Sequence, residues 1–310
     1  MQKIKTMYNK PFDNNTWLKK FANKNDRKEL RSEIYRQTVD IVNSGGYILN
    51  GKKIAVDKTE IAENTEFFDE PFSLKKVENT QNTRFSVIEA DCLEVAELLL
   101  KAGFNPCVLN MASRQNPGGG VVNGSGAQEE NLFRRSNLFA SLYQFAHYAQ
   151  RYGITKSEKQ YPLDRNCGGI YSQNVTVFRS SENTGYALLD SPFQVSIVSV
   201  PALNRPELEE VGGQYRIVRD LIEPTKDRMR TILLIAGKYG HNALVLSAFG
   251  CGAFCNPPEH IALLFKEVFA EAEFQNRFAL AVFAIINDNN SNRAHNPNGN
   301  FEPFRKVFAT

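Results

Sequence analysis

Apolar and polar positions follow two alternating periods along the chain. Residues 26–43 carry apolar side chains at Leu30, Ile34 and Ile41, steps that keep one helical face. From residue 84 onward, short apolar runs typical of buried strands alternate with segments of helical period. The predicted strands are 85–88, 107–110, 193–200, 243–247 and 279–286, and the predicted helices are 92–101, 128–149, 213–235, 259–272 and a terminal one near 301–308. This alternation indicates an α/β protein whose sheet is covered by helices on both faces.

The first 80 residues differ from the rest, because one helical segment and short extended pieces are followed by a polar stretch. We therefore expect an N-terminal helical extension over 1–80 and a main domain over 81–310. The longest apolar run, residues 278–286, is far shorter than a membrane span. We expect no membrane partner.

Composition excludes further classes. The chain of 310 residues is 42% hydrophobic and 23% charged, which are ordinary globular values and exclude wholesale disorder. A net charge of +3 is too small to indicate a general nucleic-acid binder, although basic residues can still gather at one site. Five cysteines form no disulfide framework, and no signal peptide is evident at the start. These features favour a reduced, cytoplasmic protein.

The most informative segment reads NMASRQNPGGGVVNGSGAQEEN, residues 110–131. It leaves a predicted strand, passes Gly118, Gly119 and Gly120, and enters a predicted helix. Consecutive glycines allow backbone N–H groups to approach an anion closely. A dinucleotide fingerprint needs an acidic residue about 20 positions further on, where this chain has Ala140. A phosphate-binding P-loop is excluded because no Gly-Lys-Ser/Thr follows.

Two adjacent carboxylates, Glu129 and Glu130, lie in the first turn of that helix. Neighbouring helical side chains point about 100° apart, so the two cannot share one target atom. If both are functional, one orients a ligand hydroxyl and the other transfers protons, as glycosidic cleavage requires. The alternative is an exposed acidic pair favoured by the helix dipole.

Cys251, Cys255 and His260 are the only grouping that invites a metal interpretation. Their spacing matches no common zinc pattern, so we expect neither a metal site nor a cofactor. A nucleophilic Cys251 is a second alternative, but a packed small residue fits the sequence better.

The triple glycine followed after seven residues by Gln-Glu-Glu resembles the signature of poly(ADP-ribose) glycohydrolases of the microbial type, a branch of the macrodomain superfamily. Three further segments resemble the same family: RSEIYRQTVDIVNSGGY at 31–47, EADCLEVAELL at 89–99 and LSAFGCGAFCNPP at 246–258. The resemblance implies a three-layer α/β/α macrodomain-like mixed sheet with the N-terminal helical extension. It also implies hydrolysis of the ribose–ribose O-glycosidic bond of poly(ADP-ribose), with release of ADP-ribose.

The resemblance implies a role for each matching position. Glu130 is the expected catalytic acid/base, Glu129 is expected to hold the ribose hydroxyls, and Gln128 is expected to brace the loop. The expected substrate-binding residues are Asp91 at the adenine amino group, Asn110 at a ribose, Gly118, Gly119 and Gly120 near the diphosphate and the scissile linkage, Gly250, Gly252 and Ala253 as diphosphate amides, and Phe254 on a ribose.

Two positions depart from the family pattern. Ser113 stands where many macrodomains have a second asparagine, and Cys255 stands where a glycine is expected. The partner implied is ADP-ribose or poly(ADP-ribose) on modified proteins, with nucleic acid only if it is ADP-ribosylated. Two other functions use the same pocket: an ADP-ribose binder without turnover, and a hydrolase of another linkage, such as an ADP-ribosyl ester, O-acetyl-ADP-ribose or an ADP-ribosylated base.

Overall fold

The computed structural model describes residues 7–76, 82–163, 165–287 and 293–308. Its α-helices are α1 (Asn14–Phe21), α2 (Arg27–Asn43), α3 (Thr59–Glu63), α4 (Cys92–Lys101), α5 (Gln128–Arg135), α6 (Leu138–Leu142), α7 (Ile222–Lys238), α8 (Pro258–Phe269) and α9 (Phe301–Phe308). Its strands are β1 (Gly46–Leu49), β2 (Lys52–Ala55), β3 (Thr65–Phe68), β4 (Arg84–Ile88), β5 (Pro106–Met111), β6 (Gly169–Arg179), β7 (Leu188–Val200), β8 (Leu208–Val211), β9 (Gln214–Ile217), β10 (Ala243–Leu246) and β11 (Leu280–Ala284).

The main sheet has seven strands in the order β3-β6-β7-β5-β10-β11-β4. The pairs β5–β10, β10–β11 and β11–β4 are parallel, and the sheet as a whole is mixed. Parallel neighbours require crossover connections. Helix α8 makes such a connection between β10 and β11, whereas α4 links β4 to β5, which pair with β11 and β10 rather than with each other.

Both faces of these strands are buried. On one face, Leu109, Leu246 and Phe283 join a core to which α7, α8 and α9 contribute. Successive strand residues point to opposite sides, and Val108 and Val245 on the other side are also fully buried. Helix α4 packs against β5 and β10 and contributes no residue to the first core. Helices therefore cover both faces, which confirms the predicted α/β/α arrangement.

The chain divides into two compact units, each assembled from three stretches. Unit 1 comprises 1–66, 112–162 and 172–196, and unit 2 comprises 67–111, 163–171 and 197–310. The predicted boundary at residue 80 lies outside the described residues and stays a prediction. Among the helices that the structure describes, none has the length and apolar character needed to cross a bilayer.

Two predicted helices are wrong in extent. The segment 128–149 is not one helix, because Ser136 is extended (φ −146°, ψ 175°) and forms a β-bridge with Val177. Asn137 extends this pairing by exchanging hydrogen bonds with the backbone of Thr176. The segment 213–235 begins as β9, because Gly212 and Gly213 have φ of +61° and +78° at a hairpin turn.

Candidate active site

Helix α5 in unit 1 presents the two glutamates. It has eight residues, with Glu129 and Glu130 in its first turn and Arg134 and Arg135 in its last. This polarity is the one that the helix dipole favours. Yet Glu129 is only 4% exposed and Glu130 only 7%. The alternative of an exposed acidic pair is therefore wrong.

Glu129 holds the chain that leaves β5. Its Oε2 accepts a hydrogen bond from the Ser113 N–H at 2.8 Å, and its Oε1 accepts one from the Gly118 N–H at 3.0 Å. Ser113, a departure from the family pattern, thus serves this carboxylate through its backbone. Its hydroxyl accepts from the Asn116 N–H. One buried carboxylate fixes both ends of the segment 113–118.

Glu130 is held on one side only. Its Oε1 accepts a hydrogen bond from the Gly120 N–H at 2.9 Å. Its Oε2 is buried and has no hydrogen-bond partner among the described residues. A buried carboxylate oxygen without a partner carries a desolvation cost and is unusual in folded proteins. It is therefore available to a reacting group.

Gly118 and Gly119 lie so close to side chains of α5 that a larger residue would collide with them. A Cβ at Gly119 would lie 2.6 Å from Glu130 Oε1 and 3.3 Å from Glu129 Oε2, and the φ there is +52°. A Cβ at Gly118 would lie 2.6 Å from the Phe133 ring. The loop therefore presses its backbone directly onto the carboxylate pair.

The amides of this loop are used within the protein. Those of Gly118 and Gly120 donate to the two glutamates, and that of Gly119 donates to Asn116 O at 3.1 Å. They do not form an open anion nest of the kind that consecutive glycines suggest. It stays a prediction that the backbone of Gly118–Gly120 lies close to the diphosphate and the scissile bond.

Arg134 supports this loop from inside the protein. Its side chain is fully buried, donating through Nη1 to Ser125 O at 2.7 Å and through Nε to the Tyr186 hydroxyl at 2.9 Å. Ser125 in turn packs against Gly120, where a Cβ would lie 2.3 Å from the Ser125 Oγ. Arg134 thus positions the turn that supplies the amide to Glu130.

Arg31 of α2 extends the same network. Its guanidinium makes two 2.7 Å hydrogen bonds to Glu182, which also accepts from the Tyr186 hydroxyl at 3.0 Å. Burial alone would raise the pKa of Glu182, but the hydrogen bond and charge of Arg31 lower it overall. The pKa of Arg31 is raised, chiefly by Glu182 and to a lesser extent by the charge of Glu130.

Sequence reasoning does not identify Arg31 as part of the site, and it favours a solvated Arg134–Arg135 pair over one that braces the carboxylates, whereas both side chains of that pair are buried. The spacing of Glu130 and Arg134, one helical turn apart, is a signal that they share a face. It does not show burial, which depends on Glu182 and Tyr186 far along the chain.

Tyrosines adjoin the pair on another side. The Tyr148 hydroxyl donates to Pro117 O at 3.4 Å, next to the triple glycine. Burial, then the neighbouring Tyr152 and Glu129, raise the pKa of Tyr148 to about 12. Burial also raises the pKa of Tyr161, with a further contribution from the charge of Glu129. Both phenols therefore stay protonated at neutral pH, and the buried Tyr161 hydroxyl has no hydrogen-bond partner among the described residues.

Gln128 begins α5 and is half-buried. Its predicted role as a brace stays a prediction.

In unit 2, Asn110 lies near the carboxyl end of the parallel strand β5, and Asp91 follows the carboxyl end of the parallel strand β4. Asn110 on β5 is fully buried, donates to Ser199 Oγ at 3.0 Å, and has an Oδ1 without a partner among the described residues. Asp91 is the N-cap of α4, since its Oδ1 accepts from the N–H groups of Leu93 and Glu94 at 2.9 and 3.2 Å. This confirms that Asp91 starts a helix.

The loop between β10 and α8 differs in its use of amides. Within the described residues, the N–H groups of Gly250, Gly252, Ala253 and Phe254 donate to no protein acceptor, whereas those of the neighbouring Cys251, Cys255 and Asn256 do. Asn256 holds the loop from beneath by donating to Leu203 O and Gly250 O. The loop therefore offers a group of unused amides, suited to an anion.

Two details of this loop bear on the sequence expectations. Cys255 has a φ of +57°, a conformation that favours glycine, so the backbone keeps the turn expected there. Phe254 is half-buried against the unit 2 core, and its carbonyl accepts from the Arg205 N–H at 2.8 Å. Its ring lies on the fold rather than standing free.

The metal and nucleophile interpretations of this loop find no support. Burial raises the pKa of Cys251 well above its usual value, which disfavours a thiolate. His260 is occupied as an acceptor for the Ile217 N–H at 2.9 Å. Across the described ranges, no three His, Cys, Asp or Glu side chains are grouped to hold a metal ion.

Comparison with known proteins agrees with this geometry. The family described as microbial-type PARG, catalytic domain, matches residues 35–180. The poly(ADP-ribose) glycohydrolase (PARG) of Thermomonospora curvata superposes with a TM-score of 0.71 at 30% identity, covering 90% of this chain and 100% of that one. Its complex with the inhibitor ADP-HPD gives 0.71 at 29%, with the same coverage. The Deinococcus radiodurans PARG in complex with ADP-ribose gives 0.60 at 26%, covering 81% and 97%. No curated protein matches.

Together with these comparisons, a mixed sheet between helical layers defines a macrodomain-like hydrolase. The chain belongs to the microbial-type PARG family. It is accordingly an enzyme of the poly(ADP-ribose) glycohydrolase class.

Proposed function

We propose that this protein cleaves the ribose–ribose O-glycosidic bond at the end of a poly(ADP-ribose) chain and releases ADP-ribose, with Glu130 as the acid/base. The observation that carries the proposal is the asymmetry of the Glu130 carboxyl group. Its Oε1 is fixed by the Gly120 N–H, while its buried Oε2 has no partner among the described residues. A general acid must reach the leaving oxygen within hydrogen-bond distance, and an oxygen that no protein group occupies can do so.

The asymmetry determines where the proton resides. Because Oε1 accepts from Gly120, the proton of the neutral carboxyl group lies on Oε2. Oε2 gives it to the leaving ribose oxygen as the bond from that oxygen to the anomeric carbon breaks. Positive charge then builds on the anomeric carbon, a water attacks there, and its proton returns to Glu130.

Glu129 would bind rather than transfer protons. Its two oxygens already accept from Ser113 and Gly118, and a carboxylate oxygen can accept more than one hydrogen bond. Ribose hydroxyls donating to Glu129 would thus meet a group that cannot rotate away. This rigidity orients the sugar for reaction.

The binding residues would lie in unit 2. We assign the adenine amino group to Asp91, a ribose to the unpartnered Oδ1 of Asn110, and the diphosphate to the unused amides of Gly250, Gly252 and Ala253. Phe254 would pack on the second ribose. The ADP-ribose complex of the Deinococcus protein supports a ligand of this kind.

The setting follows from the same chemistry. None of the five cysteines, which all lie within the described residues, is joined to another by a disulfide, and this suits the reducing cytoplasm that we propose as the location. The proposed partner is poly(ADP-ribose) on modified proteins, and nucleic acid would be a substrate only when ADP-ribosylated.

The test is release of ADP-ribose from defined chains by the parent and two variants. Glu130→Gln keeps the shape and removes the proton that the carboxyl group would transfer, so turnover should fall roughly 10²–10⁴-fold with ADP-ribose affinity nearly intact. Glu129→Gln should lower both, because it acts on the bound ground state. Glu94→Gln, an exposed first-turn glutamate of α4, is the matched control and should change neither.

Three outcomes contradict the proposal. An active Glu130→Gln with an inactive Glu129→Gln would exchange the two roles. A parent that binds ADP-ribose in calorimetry but releases none from any substrate would be a binder without turnover. A parent inert on chains but active on ADP-ribosyl esters, O-acetyl-ADP-ribose or modified bases would cleave another linkage.

A further inference from the structure

Positive charge is concentrated in one short segment of unit 1. Residues 19–31, which we call the basic segment, contain Lys19, Lys20, Lys24, Arg27, Lys28 and Arg31 against Asp26 and Glu29. The sum is 6 − 2 = +4, while the whole chain carries +3, so the other residues together are at −1. The basic segment alone therefore carries more net positive charge than the whole chain.

Most of this charge faces solvent. Lys19, Lys20, Lys24 and Lys28 are exposed. In the part of the chain that the structure describes, none of these four lysines forms an ion pair with a carboxylate. Arg31, by contrast, is committed to Glu182. The four ammonium groups are thus available to an anionic partner.

The basic segment adjoins the turn that holds Glu130. The Arg31 guanidinium lies 5.2 Å from the Phe21 ring at the end of α1, and Arg27 lies 4.8 Å from the same ring. On its other side Arg31 packs on Gly126, where a Cβ would meet it at 2.3 Å. The Arg31 side chain therefore lies between the end of α1 and the turn at residues 121–127, which we call the catalytic turn because it leads from the triple glycine to Glu130.

The start of α2 makes the same connection. A Cβ at Gly124 would lie 1.9 Å from the carbonyl oxygen of Lys28, and the Ser32 hydroxyl donates to Val122 O at 2.9 Å. The exposed lysine at position 28 therefore stands on backbone that touches the turn between Gly120 and α5.

Resting on the proposed function, we propose that the basic segment binds the poly(ADP-ribose) chain beyond the unit that is being released. Each unit of this polymer carries a diphosphate, so the part still attached to the scissile ribose is a polyanion. It must leave the site close to Glu130, and the basic segment is a cationic surface that contacts the turn leading into the helix of that residue. Flexible lysines suit such a partner, because they neutralise phosphates without demanding one geometry.

The salt dependence of chain binding provides the test. Each single-strand phosphate neutralised contributes about 0.7 to the slope of log affinity against log salt. Replacing Lys19, Lys20, Lys24 and Lys28 together by Gln should lower that slope by up to about 3. At low salt, the KM for chains of many units should rise roughly 5- to 30-fold. A two-unit substrate, which has little chain beyond the cut, should keep its kcat and KM.

A charge-matched control separates a local effect from net charge. Replacing Lys52, Lys53, Lys156 and Lys306 by Gln removes the same charge from exposed positions elsewhere. This variant should retain the parent slope and the parent KM for long chains. Thermal melts confirm that both variants are folded before they are compared.

Each other outcome overturns the inference. An unchanged slope in the basic-segment variant, or an equal change in the control, would remove the local site. An equal loss on the two-unit substrate would place the effect in the catalytic turn. If only binding of a single-stranded DNA oligonucleotide weakens, the surface serves nucleic acid. A parent that releases no ADP-ribose, or a fully active Glu130→Gln, would instead defeat the proposed function itself.

Discussion

The two glycine-containing loops of this protein use their backbone amides in opposite ways. In unit 1, Gly118 and Gly120 donate to glutamates of the same chain. In unit 2, Gly250 and Gly252 donate to no acceptor among the described residues. Sequence motifs alone make both loops look like anion cradles. Of these four glycine amides, only those of Gly250 and Gly252 lack an acceptor among the described residues and are left for an anion.

The difference separates two tasks. In the first loop, the amides hold Glu129, which we propose binds the ribose hydroxyls, and Glu130, which we propose transfers the proton. Where the amides are unused, the loop can bind the diphosphate. A substitution in the first loop should therefore affect turnover, and one in the second should affect affinity.

Among substitutions in the two loops, the largest effect is expected from Gly119→Ala. The new Cβ would lie 2.6 Å from Glu130 Oε1 in a residue with φ of +52°, so the carboxyl group must move. A displacement of this size should lower turnover roughly 10²-fold or more, with ADP-ribose affinity changed far less. Steady-state kinetics with calorimetry measures both.

Gly51→Ala controls for backbone strain in that experiment. Gly51 has φ of +76° but nothing within 4 Å of its Cβ position. It should cost stability and leave turnover unchanged. Equal effects of the two variants on turnover would mean that strain, rather than contact with Glu130, is responsible.

The next effect tests Asp91 as a ligand. Asp91→Ala should weaken ADP-ribose binding by about 1.5–3 kcal/mol if a charged hydrogen bond is lost. Because Asp91 also caps α4, the melting temperature should fall as well. Asp91→Ser keeps a helix cap but has a shorter side chain. It should therefore have a melting temperature near that of the parent, while its ADP-ribose affinity stays as low as that of Asp91→Ala.

Asp13→Ala completes that comparison, since Asp13 caps α1 in the same manner. It should lower the melting temperature alone. If Asp91→Ala keeps its affinity and loses only stability, Asp91 is a helix cap and no more.

A smaller loss of affinity is expected for Gly250→Ala. Its Cβ would lie 2.6 Å from both Ala202 Cβ and Asn256 Nδ2, at a φ of +74°. The loop should shift and weaken ADP-ribose binding about 5- to 30-fold, or about 1–2 kcal/mol. Turnover of saturating substrate should change little. Gly240→Ala, with φ of +69° and open space, is the control.

The smallest effect is expected on chelation. No three potential ligand side chains are grouped in the described residues, so EDTA should leave turnover unchanged apart from a small ionic-strength effect. Activity that is lost to EDTA and restored by magnesium or zinc would contradict the acid/base chemistry assigned to Glu130 alone.

The sequence predicts what depends on neighbouring residues. The helix Cys92–Lys101 and its cap at Asp91 are confirmed because cap, period and apolar face all lie within a dozen positions. The alternation of strands and helices likewise follows from local periods. The glycines and glutamates of the first loop are conspicuous for the same reason.

The sequence does not predict what distant segments impose. Helix α5 ends at Arg135 because Ser136 pairs with Val177, some forty positions later. Arg134 is buried because Tyr186 and Ser125 accept its hydrogen bonds. The use of the Gly118 and Gly120 amides also depends on where α5 lies once folded. In each case, tertiary contacts decide the outcome.

The amide hydrogens of Gly118 and Gly120, which Glu129 and Glu130 hold, have a consequence for deuterium uptake. Loop amides ordinarily exchange through small local openings. Those of Gly118 and Gly120 can exchange only when a glutamate carboxyl group lets go. Their protection therefore records, in the intact protein and without substrate, how much of the time the carboxyl groups of Glu129 and Glu130 are in place.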